Sequence, residues 1–171
     1  MRTAKRYTNA TFTRRVDHLA GRHRGTRTPP GPDVCRVCGA AFVKRHWVAA
    51  GTAQALAIAR KRSVVLTTCD ACRMIAQGAG RGEVRVSGDY FAAHRDEVEH
   101  LLRNVTARAL LDNPLARIVR WTPRGKQELT ILTTTESLAQ RLGRELKKTF
   151  HGAVHYEFSH ENKFAHVTWT R

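Results

Sequence analysis

Four cysteines constrain this chain more than any other feature in it. They fall as Cys35-x2-Cys38 and Cys69-x2-Cys72, with thirty residues between the pairs and no cysteine left over. A CxxC turn aims two thiolates at one point about 2.3 Å away, and two such turns complete a tetrahedral all-thiolate shell around zinc. Gly39 follows the first pair, where a knuckle turn calls for positive φ. Two disulfides would require an oxidising compartment, and a redox CxxC would need only one pair in a βαβ setting. Four thiolates close the shell and leave no position for a reactive water. The expected cofactor is therefore one structural Zn2+, held by Cys35, Cys38, Cys69 and Cys72, that contributes folding free energy rather than chemistry.

The residues between the pairs read as strands. The segment 41–48 reads as one strand and 63–67 as a second, with a short helix or elongated loop over 53–62. Knuckle, strand, strand, knuckle is a zinc ribbon, and it is expected to span 35–88. His46 is expected to be a bystander rather than a fifth ligand.

Charge sets the class of partner. The 171 residues carry 30 Lys and Arg against 14 Asp and Glu, a net charge of +16. A hydrophobic fraction of 42% is enough for a core, so the chain is not a disordered polycation throughout. Residues 1–34 and 35–88 contribute +6 and +7, and 89–171 only +3. The first 88 residues thus read as the polyanion-binding part, with nucleic acid as the default partner. Residues 1–34 are expected to form a flexible basic arm ending in a Pro-rich linker, Thr28-Pro29-Pro30-Gly31-Pro32. The candidate RNA-binding residues of the arm are Arg2, Lys5, Arg6, Arg14, Arg15, Arg22, Arg24 and Arg27. Those of the ribbon are Arg36, Lys44, Arg45, Arg60, Lys61, Arg62 and Arg73. Trp47 joins them as a base-stacking candidate, or else covers the small ribbon core. No apolar run approaches the ~18 residues of a membrane span, and no apolar signal segment opens the chain. A cytoplasmic protein without membrane or small-molecule partners is expected.

Residues 89–171 read as an α+β domain, a helix followed by ββαββ. The helix covers about 90–111, with Phe91, Val98, Leu101, Leu102, Val105 and Ala109 recurring at three and four, and Asn113-Pro114 stops it. Strands follow over 115–121 and 128–134 around the turn Pro123-Arg124-Gly125. Thr135 caps a second helix over 136–151, which buries Leu138, Leu142, Leu146 and Phe150. Two more strands, around 154–158 and over 164–170, flank a polar turn over 159–162. Val84 and Val86 mark a strand at the end of the ribbon. Arg141, Arg144 and Lys148 share one face of the second helix, as a solvated face or a secondary RNA contact.

No enzyme is expected. HExxH, GxSxG, P-loop and dinucleotide patterns are all missing from the chain. Glu97-x-x-His100 has the spacing of a di-iron bundle, but that chemistry needs a second copy. Asp89, Asp96 and Glu97 are more simply helix N-terminal acids.

From Pro30 to Arg171 the chain resembles a group of bacterial zinc-ribbon proteins related to the large-ribosomal-subunit export adaptor, nonsense-mediated decay protein three. The residues that carry the resemblance are Val34–Ala40, Trp47, Cys69–Arg73, Val86–Phe91, Ala93–Glu97, Asn113–Ile118, Thr133–Thr135 and Val167–Arg171. The adaptor's pattern has two CxxC-type zinc sites and this chain has cysteines for one, so nuclear export is not carried over. The resemblance implies docking on ribosomal RNA of the large subunit, on its tRNA-facing side, and a ribosomal protein is a candidate further contact. The expected mechanism is occupancy, as in hibernation and translation inhibition or in subunit maturation. The alternative is a DNA-binding transcription regulator built on a zinc ribbon, although no helix-turn-helix or Cys2His2 pattern supports it.

Overall fold

Two sheets divide the molecule, and the cysteines belong to the smaller one. The computed structural model describes residues 33–61, 63–159 and 163–171. The expected arm and linker, with Arg2 to Arg27, lie outside them, as do Arg62 and most of the turn expected over 159–162.

The smaller unit contains β1 (Asp33–Cys35), β2 (Ala41–Val43), β3 (His46–Val48), α1 (Ala53–Ala59), β4 (Val65–Thr67) and α2 (Asp70–Gln77), with sheet order β3-β2-β1-β4. β1 runs antiparallel to β2 and parallel to β4. The knuckle between β1 and β2 is closed by Cys35 N–H to the Ala40 carbonyl at 2.8 Å and Gly39 N–H to the Cys35 carbonyl at 2.9 Å, with Gly39 at φ +72°.

Two expectations change here. The single strand over 41–48 is a hairpin: Val43 pairs with His46 and the chain turns at Lys44 and Arg45. The second cysteine pair lies not in a strand-to-strand knuckle, as a ribbon requires, but in the first turn of α2. Cys69 is that helix's N-cap, its Sγ accepting from Cys72 N–H, and Asp70 sits at the positive end of the dipole. Gly78, at φ +65°, ends the helix in a left-handed cap.

The larger unit contains β5 (Gly82–Ser87), α3 (Asp89–Ala93), α4 (Arg95–Asp112), β6 (Ile118–Arg124), β7 (Glu128–Thr133), α5 (Glu136–Phe150), β8 (Ala153–Ser159) and β9 (Phe164–Thr170), with sheet order β6-β7-β5-β9-β8. The α+β character and the ββαββ order after the helices agree with the sequence reading. The domain boundary does not. β5 is the central strand of this sheet, antiparallel to β7 and parallel to β9, so the units divide near 78–81 rather than at 88. Val84 and Val86 are fully buried there, which is why β5 belongs to the larger core.

The helix expected over 90–111 is two helices, because helical geometry lapses at His94 (φ −120°, ψ 32°). α3 is tied to the end of β9 by Tyr90 N–H to the Arg171 carbonyl at 2.9 Å, while α4 follows its own buried stripe of Val98, Leu102, Val105 and Ala109. β6 begins three residues later than expected. Asn113 first forms a turn, its Oδ1 accepting from Leu115 N–H at 3.0 Å. A bulge between Ile118 and Arg120 then lets both Ile118 and Trp121 pack on the core.

Thr135 caps α5 as expected, its Oγ1 accepting from Leu138 N–H at 3.3 Å. Leu138, Leu142 and Leu146 are buried against the sheet. The other face of the sheet is polar: Arg85 meets Glu128 at 3.5 Å and His155 meets Glu157 at 3.2 Å. This is a two-layer arrangement with one solvated sheet face. Among the described residues no helix is long and apolar enough to cross a membrane.

α5 lies close to the sheet at Gly143, where an added Cβ would lie 2.5 Å from Val167 Cγ1 and 3.2 Å from the Tyr156 hydroxyl. Ala is intrinsically the better helix former by about 1 kcal/mol. Gly143→Ala is nevertheless expected to destabilise the chain, by about 1–3 kcal/mol, because the buried Val167 has no room to yield. A lower urea midpoint with unchanged m-value is the expected result; a higher midpoint would show that the packing relaxes.

Candidate metal centre and cationic surface

The four sulfurs converge from three elements. Cys35 ends β1, Cys38 lies in the knuckle, Cys69 caps α2 and Cys72 lies in that helix's first turn. Their Sγ atoms all lie within 4.8 Å of one another, and Cys38 and Cys69 are 3.8 Å apart. A tetrahedron with Zn–S bonds of about 2.3 Å has sulfur–sulfur edges of about 3.8 Å. All four cysteines are free thiols rather than disulfides. The donor set can therefore hold a metal ion, and its size and softness fit zinc.

The surroundings favour a thiolate at Cys35 and a neutral thiol at Cys69 and Cys72. Cys69 N–H donates to Cys35 Sγ at 3.3 Å, and Cys72 N–H to Cys69 Sγ at 3.5 Å. Burial pushes the Cys35 thiol up, but backbone N–H groups of Cys69, Cys38 and Val37 outweigh it and hold the thiol down at about 6. Burial drives Cys69 the other way, well above an ordinary thiol, and burial with the neighbouring sulfurs also raises Cys72. Four sulfurs this close cannot all ionise without a cation between them. A divalent metal removes that conflict and deprotonates its ligands outright.

One ligand neighbour was not foreseen. Arg117 donates from Nη1 to Cys72 Sγ at 3.1 Å. Four thiolates around a divalent ion carry two negative charges, and this guanidinium offsets one of them. Its position is built by Thr134, buried to 1% exposure. Thr134 Oγ1 accepts from Arg117 N–H at 2.8 Å and also donates to the Leu115 carbonyl. Leu115 in turn packs on the cluster formed by Cys35, Cys69, Cys72, Ala40 and Ala71. The larger unit thus covers the metal centre with Leu115 and contacts it through Arg117. Arg117 stands in the Asn113–Ile118 run noted above, but nothing in local spacing ties it to a cysteine 45 residues away.

Trp47 packs on the same cluster from the other side and lies 5.3 Å from Phe42, centroid to centroid. It is a cover for the small core. His46 stays outside the sulfur cluster and places Nδ1 3.4 Å from the Lys44 carbonyl.

The cations of the smaller unit lie on its surface. Arg36, Lys44, Arg45, Arg60, Lys61 and Arg73 are all exposed. Arg73 pairs with Asp70 at 2.5 Å, and Arg36 donates to the Leu66 carbonyl at 3.2 Å. Among the described residues no carboxylate pairs with Arg36, Lys44, Arg45, Arg60 or Lys61. In the larger unit Arg85, Arg95, Arg103, Arg124 and Arg141 each have an acidic partner. Arg141 of the expected basic stripe is engaged with Asp112 at 2.7 Å, bridging α5 to the end of α4.

No family model, no curated protein and no solved structure matches this chain.

The metal centre makes two expectations. Reduced, purified protein is expected to contain one zinc per chain by elemental analysis; metal-free protein would end the assignment. Arg117→Ala is expected to keep the zinc stoichiometry but weaken affinity by roughly ten- to a hundredfold, the usual cost of losing a ligand's hydrogen-bond partner. Competition against a chromophoric chelator measures this, and an unchanged affinity would make Arg117 a bystander.

Proposed function

We propose that this chain is a zinc-containing, rRNA-binding protein that docks on the large ribosomal subunit at or near the tRNA sites. It acts by occupancy, either holding translation off, as in hibernation, or reporting subunit maturation. The observation that carries the RNA reading is the set of exposed cations on the smaller unit that have no carboxylate partner among the described residues: Arg36, Lys44, Arg45, Arg60 and Lys61. An RNA backbone supplies the anions that the fold does not. The charge distribution adds to this, with +13 of the +16 in the first 88 residues. The resemblance to the bacterial zinc-ribbon group supplies the ribosome and the location on it.

One zinc ion, held by Cys35, Cys38, Cys69 and Cys72, supplies folding free energy and no reaction chemistry. The backbone around those cysteines fixes the knuckle, the β2–β3 hairpin and α2 relative to one another. The cations borne on these elements are thereby held in a set pattern. The larger unit fixes orientation and offers a second surface for rRNA or a ribosomal protein.

Sedimentation through a sucrose gradient tests the proposal. The protein is expected to travel with large-subunit and whole-ribosome particles at low salt; protein that stays at the top of the gradient would overturn the ribosomal assignment. Binding is also expected to be steeply salt-dependent. About 6–10 phosphate contacts predict a fall of about 10³–10⁵ in affinity between about 50 and 200 mM salt. The double change Arg60→Gln, Lys61→Gln is expected to flatten the log–log salt slope by about one unit per cation in contact. An unchanged slope would place the contact elsewhere.

A further inference from the structure

We propose that the tip of the β2–β3 hairpin is a rigid RNA prong, with Lys44 and Arg45 held in a strained turn so that two adjacent cations meet the phosphates lining a narrow groove of folded RNA. This deepens the RNA-binding reading above and rests on it.

The turn has two residues, because Val43 pairs with His46. Both of those residues are left-handed, Lys44 at φ +46° and Arg45 at φ +72°. That is the φ pattern of a mirror-image hairpin turn, which matches strand twist and is usually built from Asn-Gly or Asp-Gly. Glycine enters this region freely, and Asn or Asp is helped by its short polar side chain. Lysine and arginine have neither advantage. The pairing Ala41↔Val48, Phe42↔Trp47 and Val43↔His46 enforces the turn regardless of what occupies it.

The strain is not relieved locally. The Lys44 carbonyl meets the His46 ring at 3.4 Å, and neither cationic side chain has a carboxylate partner among the described residues. Both residues are exposed. The stem beneath them is fixed, since Phe42 packs at a tilt against Trp47 and Trp47 packs on the cysteine cluster. A short, stiff, doubly charged tip loses little conformational entropy on contact. Strain retained at such a point is the signature of a site where side-chain identity matters more than backbone comfort.

The tip's chemistry selects its partner. The deep, narrow groove of an A-form helix does not expose its bases to side chains, but its phosphate rims are open to a cation on a thin projection. Contacts of this kind carry no base preference.

The test separates backbone strain from charge. Lys44→Asn with Arg45→Gly removes both the strain and the two charges. Lys44→Gln with Arg45→Gln removes the charges and keeps the strained backbone. Lys163→Asn is the comparator, since Lys163 is also exposed and left-handed (φ +46°) but lies in the charge-balanced half of the chain. Tm, zinc content and affinity for protein-free large-subunit rRNA are measured for each, with duplex DNA as a parallel probe.

The Asn-Gly variant is expected to keep its zinc and to melt about 2–8 °C higher, as relief of two left-handed side chains in a chain of this size implies. Its rRNA affinity is expected to fall roughly ten- to thirtyfold near 0.15 M salt, with the salt slope lower by about 1.4–1.8, the loss of two phosphate contacts. The Gln-Gln variant is expected to lose the same affinity without the gain in Tm. Lys163→Asn is expected to gain Tm and keep its affinity. Wild-type binding to rRNA with no loss in either hairpin variant would overturn the prong and leave the RNA reading standing. A wild type that does not bind rRNA would overturn both. Hairpin-dependent binding that is tighter on duplex DNA than on rRNA would overturn the commitment to RNA.

Discussion

The burial of four thiols at one point is the constraint on which the smaller unit rests. Its other buried apolar residues are few and mostly small, such as Ala41, Ala55 and Ile58. The largest fully buried side chains of the molecule, from Trp169 and Phe91 to Val105, all belong to the larger unit. A unit of this size lacks the hydrocarbon to stabilise itself, and a metal–thiolate shell commonly takes that role. The strand arrangement serves the same end. The parallel pairing of β1 with β4 places the knuckle beside the start of α2, and Arg36 N–H closes on the Thr67 carbonyl at 2.8 Å. Without that register the two cysteine pairs would not meet.

The same cluster is also the joint between the units. Leu115 and Arg117 reach it from a turn that begins at Asn113, and Thr134 at the end of β7 holds that turn in place. The contact is matched in both chemistry and charge. Leu115 covers the apolar flank of the cluster, and a guanidinium faces the sulfur of Cys72. A metal-bound thiolate accepts a hydrogen bond more strongly than a neutral thiol, so an ion in the cluster would strengthen the Arg117–Cys72 contact between the units.

How far these features could be read from the chain depended on whether they were local. The ligands were legible because CxxC spacing is itself the geometry. α5 was legible because the Thr135 cap and the leucines at every fourth position, Leu138, Leu142 and Leu146, agree with one another. The start of α2 was missed because its cap is Cys69, outside the usual capping residues, and the zinc-ribbon reading had already taken that cysteine for a knuckle. The hairpin at Lys44 and Arg45 was missed for the converse reason: its residues contradict the turn they occupy. β5 was assigned to the wrong unit because alternation of Val84 and Val86 reveals a strand and not its neighbours. Arg117 was out of reach, being placed by tertiary hydrogen bonds to Thr134.

The division of charge follows from the division of stabilising forces. The larger unit has a hydrocarbon core, and Glu83, Glu99, Asp112 and Glu128 on its surface pair with arginines, Glu99 lying between Arg95 and Arg103 at 2.9 and 3.3 Å. The smaller unit has Asp33 and Asp70 as its only acids among the described residues, against seven described basic residues if Lys61 and Arg73 are counted with Arg36, Lys44, Arg45, Arg60 and the exposed Arg81 at its border. Mutual repulsion among those cations opposes folding. A hydrocarbon core of alanines would offset little of it, at about 25 cal/mol per Å² buried. A metal ion held by the four thiolates would offset far more, and the two net negative charges of such a shell would lie inside the cationic unit. An anionic centre there would let a small unit carry a surface whose cations have few acidic neighbours among the described residues.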